Sequence, residues 1–441
     1  MNDLFSDTVL LNKINSYSTG NEDYWSFKGR SRREHCHGLV QYPAMMVPEM
    51  QGELIDAVLD VDKNVKRIFD PFVGSGTTMG EAMCRGLDFF GIDINPLAIL
   101  SCEVKSGPLY VIKLRKKIES LLDIIKKDDS ILVEVNFHGI DKWFTRNSQI
   151  ELSVIYRAIK KESSKWARKI FWLCMSNTVR SVCNSRSSTF KLHIKTKEQI
   201  ESIPSALVIF EKNVLSSLDK IEEQRKILIA ENALVRSKSK SNIIIQHGDS
   251  SFPSKKIIKS DLLISSPPYG DNHTTVTYGQ FSYLPLMWID HNDIQNINNK
   301  KVIYNANTID SLSLGGSKKD SFIKFKEVMG ISSSFVEIVN VIEKINPENI
   351  KKIISFVFDL DKALSSILNH LRDNAYMIWT LGNRRISDTE IPLDKIMREI
   401  LESKGCKFVH QINRDIPSKR MARRNRISTT MDKEIILIMR K

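Results

Sequence analysis

Apolar residues recur along the chain with two different periods, and the alternation between them lays out an architecture. At 48–59 the sequence PEMQGELIDAVL places Met50, Leu54, Ile55 and Val58 three or four apart, which predicts a helix. Residues 65–70 (VKRIFD) read as a strand, 80–86 as helix formers closed by a glycine, and 89–92 as a second strand. Residues 65–93 therefore have the size and order of a strand-helix-strand unit. Between 105 and 240 the pattern changes to long amphipathic stretches at 111–125, 150–182 and 206–230, which predict an α-helical insertion. Strand patterns return in NIIIQHGDS from Asn242 and DLLISSPPYG from Asp261, then at 354–359, 376–383, 407–414 and 434–441. Strands alternating with helices argue for an α/β fold on a mostly parallel sheet. The last two strands are joined by a basic loop and are expected to form an antiparallel hairpin at the sheet edge. The first 35 residues carry aromatics without a steady period and read as an irregular arm. Residues 291–320, rich in Asn, Lys, Ser and Gly, read as a long exposed loop. The expected division is 1–104, 105–240 and 241–441.

Charge narrows the class of partner. Lys and Arg number 65 against 52 Asp and Glu, a formal charge of +13, which points to an anionic partner. With 41% hydrophobic and 27% charged residues, collagen-like and disordered readings are excluded. No apolar run approaches the roughly 18 to 20 residues that span a bilayer, and Asp3 and Asp7 stand where an export signal is basic, so a soluble, cytoplasmic protein is expected. The six cysteines are scattered with no CxxC pair, which suggests neither a disulfide framework nor a zinc cluster. His35, Cys36 and His37 are adjacent in one loop, and neighbouring positions seldom converge on an ion, so no metal is expected.

Two segments carry chemistry. In Asp70-Pro-Phe-Val-Gly-Ser-Gly-Thr-Thr78, Gly74 and Gly76 stand where a strand ends and a helix begins, a place at which backbone approaches a ligand closely. A Walker A loop would need Gly-Lys-Ser/Thr, so phosphate binding is disfavoured. Asp93 ends the second strand 17 residues beyond Gly76, where a carboxylate accepts from two ribose hydroxyls. Ser266-Pro267-Pro268-Tyr269 follows an apolar strand at the sheet edge where α/β folds bind ligands. Its prolines hold the Ser266 and Pro267 carbonyls in a rigid arrangement, and Tyr269 offers a ring for stacking.

The combination of DPFVGSGTT, GIDINP and SSPPYG resembles the DNA amino-methyltransferases of restriction-modification systems, which use S-adenosylmethionine (SAM) to methylate exocyclic base nitrogens. The resemblance spans most of the chain outside the helical insertion and implies a Rossmann-like SAM-dependent sheet. It places Asp70, Phe72, Gly74 and Gly76 at the methionine part of SAM, Asp93 at the ribose, Asp249 at the adenine, and Tyr42 and Pro43 beside them. Ser266, Pro267, Pro268 and Tyr269 would be catalytic. An exocyclic amine is a poor nucleophile, so acceptors at the Ser266 hydroxyl and Pro267 carbonyl would hold its hydrogens and aim it at an activated methyl. The target base would leave the duplex and stack on Tyr269. Carbon-5 methylation is excluded, since none of the 13 prolines precedes a cysteine. Arg384, Arg385, Arg414, Lys419, Arg420, Arg423 and Arg424 are the candidate phosphate contacts on double-stranded DNA. Serine ahead of Pro-Pro-Tyr leans the resemblance toward N4 of cytosine, with N6 of adenine the alternative. The partner implied is a cognate restriction endonuclease. An RNA base-amine methyltransferase and a catalytically inactive SAM- or DNA-binding module are the rival readings.

Overall fold

The structure is a computed structural model that describes residues 2–441 except 32, 253–256, 295, 296, 298, 299, 304 and 417–432. Seven strands form its central sheet: β1 (Arg67–Asp70), β2 (Asp88–Asp93), β3 (Ile243–His247), β4 (Ser260–Ser265), β5 (Leu371–Leu381), β6 (Lys407–Asp415) and β7 (Lys433–Arg440). They lie in the order β6-β7-β5-β4-β1-β2-β3. The pairs β1–β2, β1–β4, β2–β3 and β4–β5 are parallel, while β7 is antiparallel to both β5 and β6.

Both faces of the sheet are covered, as a parallel sheet requires. Side chains alternate between two cores with the period of two that a strand imposes. Ile68, Phe89, Leu262, Ile264, Ile378, Ile436 and Ile438 enter one core; Phe69, Phe90, Leu263, Met377, Trp379, Leu437 and Met439 enter the other. The first core also holds the helical segment, through Ile118, Leu121, Ile155, Trp172 and Phe210, so residues 105–240 pack into the same apolar mass as Met50 and Leu54. The second is closed by the helices Ser333–Ile345, Ile350–Leu368 and Leu393–Ser403. Among the described residues no helix is long and apolar enough to cross a membrane.

The structure corrects four local expectations. The arm at the N-terminus is a helix, Asn2–Tyr17, which buries Leu10 and Ile14 and pairs Asp7 with Arg440 at 2.8 Å. Leu10 and Ile14 are its fully buried positions among the described residues and Tyr17 packs against the core at its end, too few contacts to give a legible period. The expected strand at 354–359 lies inside the helix Ile350–Leu368, where Ile353, Phe356, Val357, Leu360, Ala363, Leu364 and Ile367 are buried at helical spacing. The stretch 150–182 is two helices, Arg146–Lys161 and Lys165–Val182, broken where the Ser164 amide donates to the Glu162 carboxylate at 2.7 Å. The segment 291–320 is not an exposed loop throughout: the helix Thr308–Leu312 buries Ile309 and Asp310, and Val302 and Ile303 join the first core.

Candidate active site

The chain runs β1 to β2 to β3 in one direction along the sheet and then crosses back to β4 on the other side of β1. The switch point between β1 and β4 is where open α/β sheets open a crevice beyond their strand ends. The two chemistry-bearing loops leave the sheet side by side at that point. Phe69 is in register with Leu263, and the Ser265 hydroxyl donates to Asp70 Oδ1 at 2.6 Å.

The glycine loop is held from three directions. Gly74 and Gly76 have φ of +50° and +80°, conformations that suit glycine, and the turn feeds the helix Thr77–Cys84. The Val73 amide donates to the Ile92 carbonyl at 3.0 Å, and the Gly74 amide donates to Asp93 Oδ2 at 2.8 Å. Behind the loop, the helix Pro96–Lys105 grips its outer carbonyl, for Ser75 accepts from the Ser101 hydroxyl at 3.1 Å and from the buried Lys105 ammonium at 2.6 Å. Asp93 also accepts from the Asn95 amide at 2.8 Å. The Ile94 amide bonds to it as well, so of a carboxylate's about four lone-pair sites one remains for a ligand. Burial pushes its carboxyl up to about 6, which leaves it ionised at neutral pH.

A cleft opens over these loops, between the glycine turn and the Ser-Pro-Pro-Tyr loop. Of the residues singled out from the sequence, Tyr42, Pro43, Phe72, Gly74, Asp93, Asp249, Ser266 and Pro268 line it. Asp70 and Gly76 lie beneath the loop: Asp70 is fully buried, its carboxyl pushed up to about 7 by desolvation, and accepts from the Phe72 amide at 3.0 Å. Pro267 is buried, and Tyr269 packs against the second core. The Ser266 hydroxyl donates to the Tyr269 hydroxyl at 3.3 Å, which donates in turn to Glu434 at 3.3 Å. Tyr42 is placed by Asn95, whose Nδ2 donates to its hydroxyl at 2.9 Å, and its ring lies 5.8 Å from that of Tyr278.

Comparison with known proteins gives the site a family. A family profile described as DNA methylase matches residues 10–101, which include the glycine loop and Asp93. Type II methyltransferase M.MvaI of Kocuria varians is 31% identical across 98% of this chain and 97% of its own length. The chain belongs to the DNA amino-methyltransferases of restriction-modification systems. Type II methyltransferase M.MjaII of Methanocaldococcus jannaschii is 37% identical over 99 residues, 22% of this chain and 17% of its own.

Membership of that family implies use of SAM, and the residues of this methyltransferase fit such a ligand. Gly74 and Asp93 both line the cleft, and Asp93 keeps an acceptor site for a ribose hydroxyl. Sequence reasoning missed Asn272, Tyr278, Ile309, Ser313 and Leu314, which also line the cleft of the methyltransferase. They come from segments without a readable motif and reach the site only through the tertiary fold.

The basic residues of the methyltransferase divide sharply. Arg385 is exposed, whereas Arg414 is buried against Met50 and faces Glu434 at 3.6 Å. Arg384 is largely enclosed and paired with Asp271. Lys419, Arg420, Arg423 and Arg424 lie outside the described residues. In the helical segment Arg168 pairs with Asp293 at 2.7 Å, Lys169 with Glu103 at 3.1 Å, and Lys160 with Asp290. His35 and His37 engage Gln224 at 2.6 Å and Glu81 at 3.0 Å through ring nitrogens, with Cys36 buried between them.

Proposed function

We propose that this DNA methyltransferase modifies the exocyclic N4 of cytosine in duplex DNA and protects that DNA from a cognate restriction endonuclease, in the cytosol. The observation that carries the reading is the convergence of Ser266 and Pro268 with Gly74 and Asp93 in one cleft at the β1/β4 switch point of a Rossmann-like sheet. SAM, when bound, supplies a methyl group already activated by its sulfonium. The chain then has to hold the amine oriented toward that methyl group. In this reading the Ser266 hydroxyl, whose hydrogen points to Tyr269, keeps its lone pairs for the amine hydrogens, and the Pro267 carbonyl is the second acceptor. Drawing both hydrogens into hydrogen bonds localises the nitrogen lone pair toward the methyl. Asp70 and Gly76 shape the loop from below, Phe72, Tyr42, Pro43 and Asp249 wall the cofactor side, and Tyr269 stacks on the flipped base. Arg385 and the basic run from Lys419 to Arg424 contact phosphate, and the +13 charge supports an anionic partner. Serine at position 266 favours cytosine over adenine.

The test is nucleoside analysis of DNA from cells expressing the wild type or Pro268→Ala. N4-methylcytosine is expected with the wild type alone. N6-methyladenine would keep the chemistry and overturn the base; neither nucleoside would overturn the function.

A further inference from the structure

Immediately beyond the Ser-Pro-Pro-Tyr loop lies a buried charged pair that methyl transfer itself does not use. Asp271 is fully buried two residues past Tyr269. Its Oδ2 accepts from Arg384 Nη1 at 3.1 Å and from the Thr274 hydroxyl at 2.6 Å, and its Oδ1 from the Thr274 amide at 3.2 Å. The same Arg384 Nη1 reaches Thr274 Oγ1 at 2.8 Å, and the Asp271 carbonyl accepts from the Thr275 hydroxyl at 2.8 Å. Arg384 comes from a different part of the sheet, three residues past the end of β5, and its side chain is only 12% exposed. Gly270 lets it approach: a Cβ there would lie 2.4 Å from Arg384 Nη1 and 2.6 Å from Cδ.

Along the chain Asp271 lies between residues that line the cleft, Ser266 and Pro268 before it and Asn272 and Tyr278 after it. Enclosing a guanidinium costs desolvation, and such a pair is seldom a net source of stability. What it provides is a fixed distance between β5 and the turn at 271–274. A guanidinium whose Nη1 is committed twice and whose side chain is enclosed is also poorly placed to serve as a phosphate contact.

We propose that Arg384, with Asp271 and Thr274, is a positioning residue that clamps the Ser266–Tyr269 loop in its transfer geometry. The inference rests on the reading of that loop as catalytic. Misplacement of a reacting group by about 1 Å can cost about 100-fold in rate.

The test compares the full-length wild type with Arg384→Met, Arg384→Lys and Asp271→Asn, and with the double variant carrying Arg384→Met and Asp271→Asn. Single-turnover methylation is measured at saturating SAM and DNA, and DNA affinity across a salt series. Arg384→Met should slow transfer by about 10- to 100-fold, with SAM affinity and the salt slope of DNA binding unchanged. Arg384→Lys keeps the charge but lacks the planar fork, and should recover only part of the rate. The double variant should be no slower than Arg384→Met, as expected of groups acting as one unit. A salt slope lowered by about 0.9 with an unchanged transfer rate would make Arg384 a phosphate contact and overturn the clamp. So would unchanged rates in every variant. Should Arg384→Met fail to fold, Thr274→Val removes the hydroxyl's bonds to Asp271 and Arg384 and leaves the ion pair. A slower transfer supports the proposal and an unchanged one sinks it. If the wild type itself transfers no methyl to DNA, the functional reading fails instead, and hydrogen exchange at residues 266–275 reports whether Arg384→Met still loosens the loop.

Discussion

Asp93 serves ligand binding and folding with opposite dependence on pH. Ionised, it can accept from a ribose hydroxyl while still holding the Gly74 and Asn95 amides; protonated, it loses acceptor capacity. With its carboxyl pushed up to about 6 by burial, SAM affinity should weaken as pH falls through about 6. Stability runs the other way. Between the ordinary aspartate value of about 4 and the folded value, the native state holds more protons than the unfolded chain. The contribution of Asp93 to stability is therefore fully present below about pH 4 and lost as pH rises through the folded value. Calorimetric titration with SAM and urea unfolding, both from pH 4 to 8, should show the two trends. Asp93→Asn should weaken SAM by about 10- to 100-fold, the worth of a charge-assisted hydrogen bond, and remove its share of the stability slope. Asp70 and Asp310, pushed up to about 7 and about 6, keep their own shares. SAM affinity unaltered in Asp93→Asn would take this residue out of the cofactor site. Asp93 was legible in the sequence because a strand, a glycine turn and a helix fix the spacing between the loop and the next strand end. Tyr278 and Asn272 had no such local constraint.

At the scale of elements, the glycine turn and the helices beside it behave as one unit. Gly76 has φ +80°, and a Cβ there would meet Cys102 Sγ at 2.9 Å and Met79 Cε at 3.2 Å. Gly86, which follows the same helix, has φ +66° with nothing within 4 Å of an added Cβ. Alanine costs about 1–2 kcal/mol for the left-handed backbone at either position, but only at Gly76 must the buried Cys102 side chain of the helix Pro96–Lys105 shift as well. Gly76→Ala should therefore destabilise more than Gly86→Ala in urea unfolding and weaken SAM, while Gly86→Ala leaves SAM affinity intact. Equal effects would mean that the turn tolerates displacement of its neighbour. Elements whose pattern was long or closed by a glycine were readable from sequence, among them the helix Pro48–Val61 and strands β1 and β2. The strand expected at 354–359 shows where such a reading fails. A window of six apolar residues at 354–359 satisfies a buried strand and a buried helix alike, and only the contacts over the full 350–368 choose between them.

At the scale of the molecule, the segment 105–240 reads in sequence as a helical insertion, yet its buried face is continuous with that of the sheet. Phe171, Trp172 and Phe210 share one core with Phe89, Met50 and Ile264. A chain in which residues 111–230 are replaced by a short Gly-Ser linker should lose the fold, measured as loss of the cooperative unfolding transition and of soluble yield. A truncated chain that still unfolds cooperatively and binds SAM would establish the segment as independent. The amino-acid sequence by itself determined the alternation of strands and helices, the glycine turn with its acid 17 residues on, the Ser-Pro-Pro-Tyr loop and the basic balance, because each depends on neighbours within a few tens of residues. The tertiary structure alone decided which loops share a cleft, that Arg414 and Arg384 are enclosed rather than presented to solvent, and that Asp271 meets a side chain 113 positions away. Charge is a property of the residue, but its availability to a partner is a property of what the fold packs against it.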